Sequence, residues 1–333
     1  MDSLRYYSEK NKYSFIQVVY LQVFKNIKLK NTNNLNFVAK QEFKNRSDLL
    51  IFANKLDPEV ILISGRMSSD YLYIAKNFHK RAIRVTLQDT LFTNSIKQKI
   101  QRCFRRFLYK RYFDKFWGIG LQQANYAKFI GFKEKDIYSG FYVAAKIFFD
   151  NYIPNKIHYK SKFKFLYVGR LVKEKNIVQF SSVLESINNQ FKSNHEILII
   201  GEGYLYNKLR KFNCVKLLGL KTQKEIINIA KESDVFSLPS VYEPWGVVVH
   251  EMTALGLPVL CSSNCGSSFN LVKDDFNGYV FDPFDKQSIR SAIIKIININ
   301  SNLYAKFSKN SNLLSRKINH DNWNKTLNKL INL

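Results

Sequence analysis

The chain has 333 residues, of which 46% are apolar, and its 52 Lys and Arg side chains against 26 Asp and Glu give a formal charge of +26. This composition excludes a disordered tail and favours two globular domains, while the charge favours an anionic partner such as nucleic acid, a membrane surface or a phosphorylated ligand. No apolar run approaches the roughly 20 residues that span a bilayer, no secretory signal is readable, and four cysteines without a CxxC pair predict neither disulfides nor structural metal, so we expect a cytoplasmic protein.

The first half of the chain predicts a short α/β domain, residues 1–150. Apolar and β-branched runs predict strands over residues 15–23, 60–64, 83–87 and 116–119. Helical spacing predicts helices over residues 49–56 and 95–112. We find no opening strand followed by a glycine-rich turn, which leaves open that this domain lacks its first strand.

The predicted helix over residues 95–112 combines positive charge with an apolar row. The cations of this segment and its flank are Lys97, Lys99, Arg102, Arg105, Arg106, Lys110, Arg111 and Lys115. Apolar residues recur at helical spacing, which predicts that they pack on the sheet: Ile96, Ile100, Cys103, Phe107 and Leu108. Two interpretations stay open. The segment is either a core helix with a solvated basic face or a helix that faces an anionic membrane through Lys99, Arg102, Arg105 and Arg106.

A polar, proline-containing segment, residues 151–161, predicts the joint to a second domain, residues 151–311. Short apolar runs that end in Gly or Pro predict strands over residues 163–168, 196–200, 214–218, 235–238 and 259–262. Between them, helices are predicted over residues 177–191, 204–212, 223–231 and 246–255. Such strands are typical of a parallel sheet buried on both faces, so we expect a doubly wound domain with ligands at the carboxyl ends of its strands. Residues 312–333 predict a further helix.

The loop after the first of these strands contains Gly169, Arg170, Lys173 and Lys175. A glycine lets the backbone approach a ligand closely, an arginine offers a planar fork to phosphate oxygens, and a lysine adds a point charge. At the carboxyl end of a strand, this combination indicates a diphosphate site. The competing interpretation is a solvated basic loop in a lysine-rich protein.

A second group of candidate residues follows the predicted strand over residues 235–238. Glu243 lies in a loop, and Glu251 lies about 7 Å further along a helix that begins near Gly246, at about 1.5 Å per residue. A carboxylate can accept two hydrogen bonds from a ribose diol. The free amides of Gly246 and Val247 face an anion at the positive end of the helix. The spacing of the two glutamates alone is weak, but the Pro-Ser before it and the Ala-Leu-Gly-Leu-Pro after it strengthen the assignment.

Several separate motifs therefore occur in one order: Phe165-Leu-Tyr-Val-Gly-Arg170, Ile200-Gly-Glu-Gly203, Leu218-Gly219, Pro239-Ser240, Glu243-Pro-Trp-Gly246, Glu251, Gly256-Leu-Pro-Val259 and Asn277-Gly278. Over about residues 110–285 the chain resembles the group 1, or family 4, retaining glycosyltransferases with the GT-B fold. The resemblance implies two Rossmann-like α/β domains facing across a cleft, a nucleotide-sugar donor bound mainly by the second domain, and no cofactor or metal. It also implies that residues 312–333 pack back on the first domain.

The resemblance implies a role for each matching residue. Arg170 and Lys175 would hold the diphosphate, Glu251 the ribose hydroxyls, and Glu243 the donor sugar. The implied donor-binding set is Gly169, Arg170, Lys175, Gly246, Val247 and Glu251. Without a metal, the growing negative charge of the leaving diphosphate needs Arg, Lys and a helix dipole aimed at it. In retaining members the leaving phosphate oxygen is thought to help deprotonate the acceptor, so no enzymic nucleophile is required.

Two positions depart from the family pattern. His250 stands where many relatives carry Asn, and we interpret it as structural rather than catalytic. Gln88-Asp89 stands where many relatives carry His-Gly. Asp89 could orient an acceptor hydroxyl or the donor sugar, or it could cap the following helix.

Taken together, these features predict a cytoplasmic, peripheral membrane hexosyltransferase that elongates a glycan or lipid-linked glycan of a lipopolysaccharide, capsule or exopolysaccharide. Three alternatives stay open. The chain could be an inactive relative that still binds the donor, or a phosphorylase or epimerase of the same architecture. It could also be a basic nucleic-acid-binding protein, although no module of that class is readable and we expect no nucleic-acid partner.

Overall fold

The computed structural model of the protein describes residues 15–19, 35–66, 68–153 and 162–331. These residues form two compact units. The first unit contains the described residues before Gly120, residues 123–143 and the described residues from His320 onward. The second unit contains residues 120–122 and 144–319. The continuous part of the second unit thus begins at residue 144, before the predicted joint over residues 151–161. Residues 154–161 of that joint lie outside the described ranges.

The first unit contains parallel strands, as the α/β prediction requires. The strands are β1 (Phe15–Val19), β2 (Leu35–Ala39), β3 (Val60–Ser64), β4 (Ile83–Gln88), β5 (Lys115–Gly118) and β6 (Ile137–Tyr138). β1 pairs with β2, and a separate four-stranded sheet has the order β3-β4-β5-β6. The helices in this part of the chain are α1 (Arg46–Leu56), α2 (Ser69–Asn77), α3 (Ile96–Cys103) and α4 (Leu121–Phe129). Residues 20–23 of the predicted first strand lie outside the description.

An ion pair between a buried arginine and a partly exposed aspartate joins β4 to the chain segment that enters β5. Arg84 is fully buried, and its guanidinium donates two hydrogen bonds to the carboxylate of Asp114, at 2.7 and 2.9 Å. The same side chain donates to the carbonyls of Ala75 and Arg111, so its donors are well used. Burial alone would raise the pKa of Asp114, but the bonds from Arg84 outweigh it and hold that pKa below its usual value.

The segment over residues 95–112 differs from the prediction in two respects. It is not one helix, because α3 ends at Cys103 and a π-helical turn over Arg106–Lys110 follows. The predicted packing of its apolar row was also wrong. Leu108 is partly buried, but the other four side chains of the row are exposed: Ile96, Ile100, Cys103 and Phe107. The α3 residue that is buried is the polar Gln98.

The second unit is a doubly wound α/β layer. Its strands are β7 (Lys164–Val168), β8 (Glu196–Ile200), β9 (Val215–Gly219), β10 (Val235–Leu238), β11 (Val259–Ser262) and β12 (Gly278–Phe281). They form one parallel sheet in the order β12-β11-β10-β7-β8-β9. Its helices are α5 (Lys146–Asp150), α6 (Ile177–Phe191), α7 (Tyr206–Leu209), α8 (Gln223–Glu232), α9 (Val247–Leu255), α10 (Ser268–Leu271), α11 (Lys286–Ile297) and α12 (Ser301–Ser315). Every residue of β8, β10 and β11 is buried, which explains why their sequences are mostly apolar.

The C-terminal part of the chain contains a break in the predicted helix. The helix over residues 312–333 is instead the end of α12 and a separate helix, α13 (His320–Ile331). α13 belongs to the first unit, where the ring of Trp323 packs 5.0 Å from that of Trp117 and its indole N–H donates to the carbonyl of Phe141. Among the helices in the described ranges, none has the length and apolar composition needed to cross a membrane.

Candidate active site

The candidate site in the second unit lies where the order of strands reverses. From β7 the chain proceeds through β8 to β9 on one side, and then from β10 through β11 to β12 on the other. Because β7 and β10 are parallel neighbours, the loops that follow them meet at the carboxyl edge of the sheet. Open α/β sheets bind ligands at such a point. These two loops are residues 169–176 and 239–246, the loops that contain the candidate donor residues.

Lys175 and Glu243 form an ion pair between these two loops. Each side chain is only 15% exposed. The loops also share a backbone hydrogen bond of 2.9 Å from the amide of Val241 to the carbonyl of Glu174. A lysine ammonium has three donors, so Lys175 can hold Glu243 and still donate to an anion placed beside it.

Glu243 is followed by the start of helix α9, which begins at Val247 after a glycine. Gly246 has a φ of +82°, and a Cβ there would lie 2.9 Å from Cys265 Sγ and 3.2 Å from Glu243 Cγ. Only glycine fits this turn without displacing the carboxylate. The first amides of a helix have no partner within it, so those near Gly246 and Val247 offer donors and a positive dipole end. Glu251 lies in the second turn of α9 and is half-buried.

Arg170 lies in the loop that follows β7, and its side chain is exposed. Its backbone contacts Tyr167, a buried residue of β7 that was not among the candidates predicted from the sequence. The phenol of Tyr167 donates a 2.8 Å hydrogen bond to the carbonyl of Arg170. Burial raises the pKa of Tyr167, the carboxylate of Glu243 raises it further, and the guanidinium of Arg170 lowers it. The phenol therefore lies within electrostatic range of both charged side chains. The sequence does contain a signal for this contact, namely a tyrosine inside a strand predicted to be buried. A buried phenol usually has a hydrogen-bond partner, so a contact with a neighbouring loop was to be expected.

Gly201 and Gly203 bring the loop after β8 against the loop after β7. The amide of Leu171 donates to the carbonyl of Glu202 at 2.8 Å. A Cβ at Gly201 would collide with the carbonyl of Gly169, and one at Gly203 with that of Leu171. The two glycines thus permit the close backbone contact that fixes the loop containing Arg170.

The loop after β11 supports Glu243 from the other side. The amide of Glu243 donates to the carbonyl of Asn264 at 3.1 Å, and its carbonyl accepts from the amide of Gly266 at 2.9 Å. The buried thiol of Cys265 donates to the carbonyl of Trp245 at 3.0 Å. A lone cysteine outside a CxxC pair gives no sequence signal for this contact, so the role of Cys265 was not predicted.

His250 is fully buried and both of its ring nitrogens contact the backbone. Nδ1 accepts from the amide of Ala144 at 3.1 Å, so Nε2 carries the proton and donates to the carbonyl of Ser315 at 3.0 Å. The ring therefore joins the start of the second unit to the end of α12. This arrangement leaves neither nitrogen free to act as a base.

Asp89 lies in the first unit, exposed at the carboxyl end of β4. It does not cap the next helix, because the residue before α3 is Ser95. Its backbone carbonyl accepts a 3.0 Å hydrogen bond from Gln123. Burial raises the pKa of Tyr142, and the carboxylate of Asp89 raises it further. The phenol of Tyr142 therefore lies near Asp89. Tyr142 was not among the residues predicted from the sequence. Lys99, Arg102 and Arg105 are exposed, and the side chain of Arg106 is outside the description.

Comparisons with known proteins identify the second unit. The sequence model of a family described as "Glycosyl transferases group 1" matches residues 148–313. A UDP-Gal:alpha-D-GlcNAc-diphosphoundecaprenol alpha-1,3-galactosyltransferase of Escherichia coli is 33% identical over 145 residues, 41% of this chain and 37% of that protein. An amylovoran biosynthesis glycosyltransferase of Erwinia amylovora is 29% identical over 149 residues, 40% of this chain and 35% of that protein. These matches span little more than a third of the two relatives.

A solved structure extends the similarity to both units. The crystal structure of a glycosyltransferase from Rickettsia africae has a TM-score of 0.73 at 14% identity and covers 96% of this chain and 98% of that one. At this identity the likeness shows the fold, which has two parallel-sheet α/β domains, as in GT-B proteins. The family match and this fold together make the chain a member of the group 1 glycosyltransferases with the GT-B architecture.

Proposed function

We propose that this chain transfers a hexose-type sugar, with retention of anomeric configuration, from a nucleotide diphosphate sugar to a glycan or lipid-linked glycan in surface polysaccharide synthesis. The observation that carries the proposal is the Lys175–Glu243 ion pair at the strand-order reversal, next to the start of α9. The names of the two relatives support the substrate classes, because one acts on a diphosphoundecaprenol-linked sugar and the other in amylovoran biosynthesis.

The donor diphosphate fits the group of positive charges at the carboxyl edge of the six-stranded sheet. Arg170 would bind phosphate oxygens with its planar guanidinium, Lys175 would add a point charge, and the amides of Gly246 and Val247 would donate from the helix start. Glu251, half-buried in the same helix, would accept hydrogen bonds from the ribose hydroxyls. Gly169 allows the backbone to approach the ligand.

Transfer requires that the bond between the sugar and the diphosphate breaks while negative charge grows on the leaving oxygen. Lys175 and Arg170 stabilise that charge. The ion pair holds the ammonium of Lys175, and Tyr167 holds the backbone of Arg170, before the donor binds. Because these cations supply the stabilisation, we propose that no metal is needed. The leaving phosphate oxygen takes the proton of the acceptor hydroxyl on the same face of the sugar, and Glu243 positions the sugar without a covalent step.

The first unit would supply the acceptor side. Asp89 presents an exposed carboxylate at the carboxyl end of β4, where ligands of α/β sheets bind. There it can accept a hydrogen bond from an acceptor hydroxyl and orient it. This role concerns position, since the proton leaves with the diphosphate.

The test is the configuration and the donor dependence of the product. The purified chain is incubated with labelled nucleotide diphosphate sugars and a lipid-linked glycan, and the anomeric coupling of any product is read by NMR. A product with the configuration of the donor supports the proposal, and an inverted product contradicts it. Lys175→Ala should abolish transfer, while Lys173→Ala, an exposed lysine of the same loop, should leave the rate within about twofold.

A further inference from the structure

A half-buried tyrosine lies next to Asp89 at the carboxyl edge of the four-stranded sheet. Gln88 ends β4 and Gly118 ends β5, and these two residues are direct neighbours in the sheet. The chain returns to this edge after β6, where the amide of Phe141 donates to the carbonyl of Gly118 at 3.1 Å. Tyr142 therefore lies at the end of β5, beside the end of β4 that Asp89 follows.

Three contacts fix the part of the chain that presents Tyr142. The amide of Gly140 donates to the carbonyl of Ile119 at 2.8 Å. The carbonyl of Phe141 accepts from the indole N–H of Trp323 at 3.0 Å. The ring of Tyr142 packs on that of Phe141, with the ring centres 4.9 Å apart. The fold therefore sets the position of this phenol before any ligand binds.

The backbone of Asp89 is fixed as well, by a residue of α4. Gln123 is fully buried, and its side-chain amide donates to the carbonyl of Asp89 at 3.0 Å. Gly118 leaves room for this side chain, because a Cβ there would lie 2.7 Å from Gln123 Cβ. The carboxylate of Asp89 takes no part in these contacts and stays exposed at the end of β4.

Asp89 and Tyr142 offer complementary hydrogen-bonding groups. Among the residues that the structure describes, no cation pairs with the carboxylate of Asp89, and no group hydrogen-bonds the phenol of Tyr142. Burial and the nearby carboxylate raise the pKa of Tyr142, so the phenol keeps its proton at neutral pH. A neutral phenol can donate a hydrogen bond, whereas a carboxylate only accepts.

We propose that Asp89 and Tyr142 together bind one hydroxyl of the acceptor sugar, which donates to the carboxylate and accepts from the phenol. This hydroxyl is not the one that reacts, because the proton of the reacting hydroxyl leaves with the diphosphate. The pair selects a neutral sugar with a free hydroxyl at that position, since Asp89 would repel the carboxylate of a uronic acid. The inference rests on the proposed function, which assigns the acceptor to the first unit.

The first test measures binding of small acceptor probes without transfer. Saturation-transfer NMR titrations use the full chain and methyl glycosides of glucose, galactose and N-acetylglucosamine, each with its series of monodeoxy analogues. The variants are Tyr142→Phe and Asp89→Asn. The matched controls in the first unit are Tyr73→Phe, a half-buried tyrosine of α2 whose ring stacks on Arg46, and Asp57→Asn, an exposed carboxylate after α1.

We expect wild type and both controls to bind at least one methyl glycoside equally well. Tyr142→Phe should bind it about fivefold more weakly and Asp89→Asn about tenfold more weakly, as the loss of a neutral and of a charged hydrogen bond predicts. Wild-type affinity in both variants would overturn the proposal. So would the failure of every probe to bind wild type.

The monodeoxy analogues test whether the two side chains contact one and the same hydroxyl. One analogue should bind wild type at least about tenfold more weakly than its parent does, and neither variant should weaken its binding further, because the hydrogen bonds are already absent. Losses that add for every analogue would contradict a shared hydroxyl and overturn the proposal.

Transfer kinetics then separate an acceptor hydroxyl from a donor hydroxyl. With the methyl glycoside that binds as acceptor, both variants should raise the KM for the acceptor and leave the KM for the nucleotide sugar within about twofold. A raised KM for the nucleotide sugar with unchanged acceptor binding would assign the pair to the donor and overturn the proposal. If the variants lose probe binding as expected while wild type transfers no sugar, the hydroxyl site stands and the proposed function fails.

Discussion

Lys175 and Glu243 are separated by 68 residues in the sequence and form an ion pair at the carboxyl edge of the six-stranded sheet. Each comes from a different loop, and each loop follows one of the two strands between which the strand order reverses. A half-buried lysine held in this way is placed before any ligand arrives. Such preorganised charge is effective at stabilising a leaving diphosphate.

The roles of Arg170, Glu251 and Glu243 predict different kinetic defects. Arg170→Ala and Glu251→Ala should weaken binding of the nucleoside diphosphate at least tenfold, because each removes hydrogen bonds to a charged or polar part of the ligand. Glu243→Ala should lower kcat more than it raises the dissociation constant, because the role proposed for Glu243 is to position the sugar. Calorimetry and initial rates measure the two effects. Wild-type kinetics in any of the three variants would reject that residue's role.

Gly246→Ala should reduce both stability and transfer. The positive φ at this position costs a side chain about 1–3 kcal/mol, and the new methyl group would press on Cys265 and Glu243. Gly219→Ala is the matched control, because Gly219 has a φ of +68° and open space around its Cβ position. In urea unfolding, Gly219→Ala should show a similar decrease in the free energy of unfolding, because the backbone cost is similar. Its turnover should stay at the wild-type value. Equal loss of turnover in both variants would mean that the contact with Glu243 is unimportant.

Tyr167→Phe should weaken donor binding about fivefold, because it removes the hydrogen bond, about 1 kcal/mol, that holds the carbonyl of Arg170. Tyr304→Phe serves as the control. Its buried phenol donates a bond of the same length, 2.8 Å, to the carbonyl of Asp234. Both variants should lose comparable stability, and only the first should bind nucleotide more weakly. If both bind as wild type, Tyr167 has a structural role alone.

His250→Ala should destabilise the second unit by about 3 kcal/mol, since it leaves the amide of Ala144 and the carbonyl of Ser315 without the bonds that the ring supplies. In conditions where the variant is folded, its kcat should stay within about twofold of wild type. Urea unfolding and initial rates below the melting temperature measure both. A folded variant with a hundredfold lower kcat would assign a catalytic role to the ring.

The strands of the second unit were predictable from the sequence because a parallel sheet buried on both faces requires continuous apolar runs. The predicted runs over residues 196–200, 235–238 and 259–262 match β8, β10 and β11 residue for residue. Glycine and proline mark where such strands end, and the candidate site lies at those ends. The positions of Arg170, Lys175 and Glu243 therefore followed from local signals.

Contacts that join distant parts of the chain were not predictable in this way. Periodicity showed an amphipathic segment over residues 95–112 but not which face turns inward, and the hydrogen bonds of Gln98 decide that orientation. The π-helical turn after Cys103 has no sequence signature of its own. Tyr167 and Cys265 were missed for a related reason, because their partners become neighbours only when the loops fold together.

The most direct test of the donor site is the melting temperature of the wild-type chain and of Lys175→Ala with UDP, GDP, ADP and CMP, in buffer containing EDTA. A nucleotide at one hundred times its dissociation constant stabilises a protein by about 2.7 kcal/mol, which such a scan resolves. We predict that one nucleoside diphosphate raises the melting temperature of wild type in EDTA and raises that of Lys175→Ala much less. An equal rise in both proteins, or no rise with any nucleotide, would contradict a donor site built on Lys175 and Glu243.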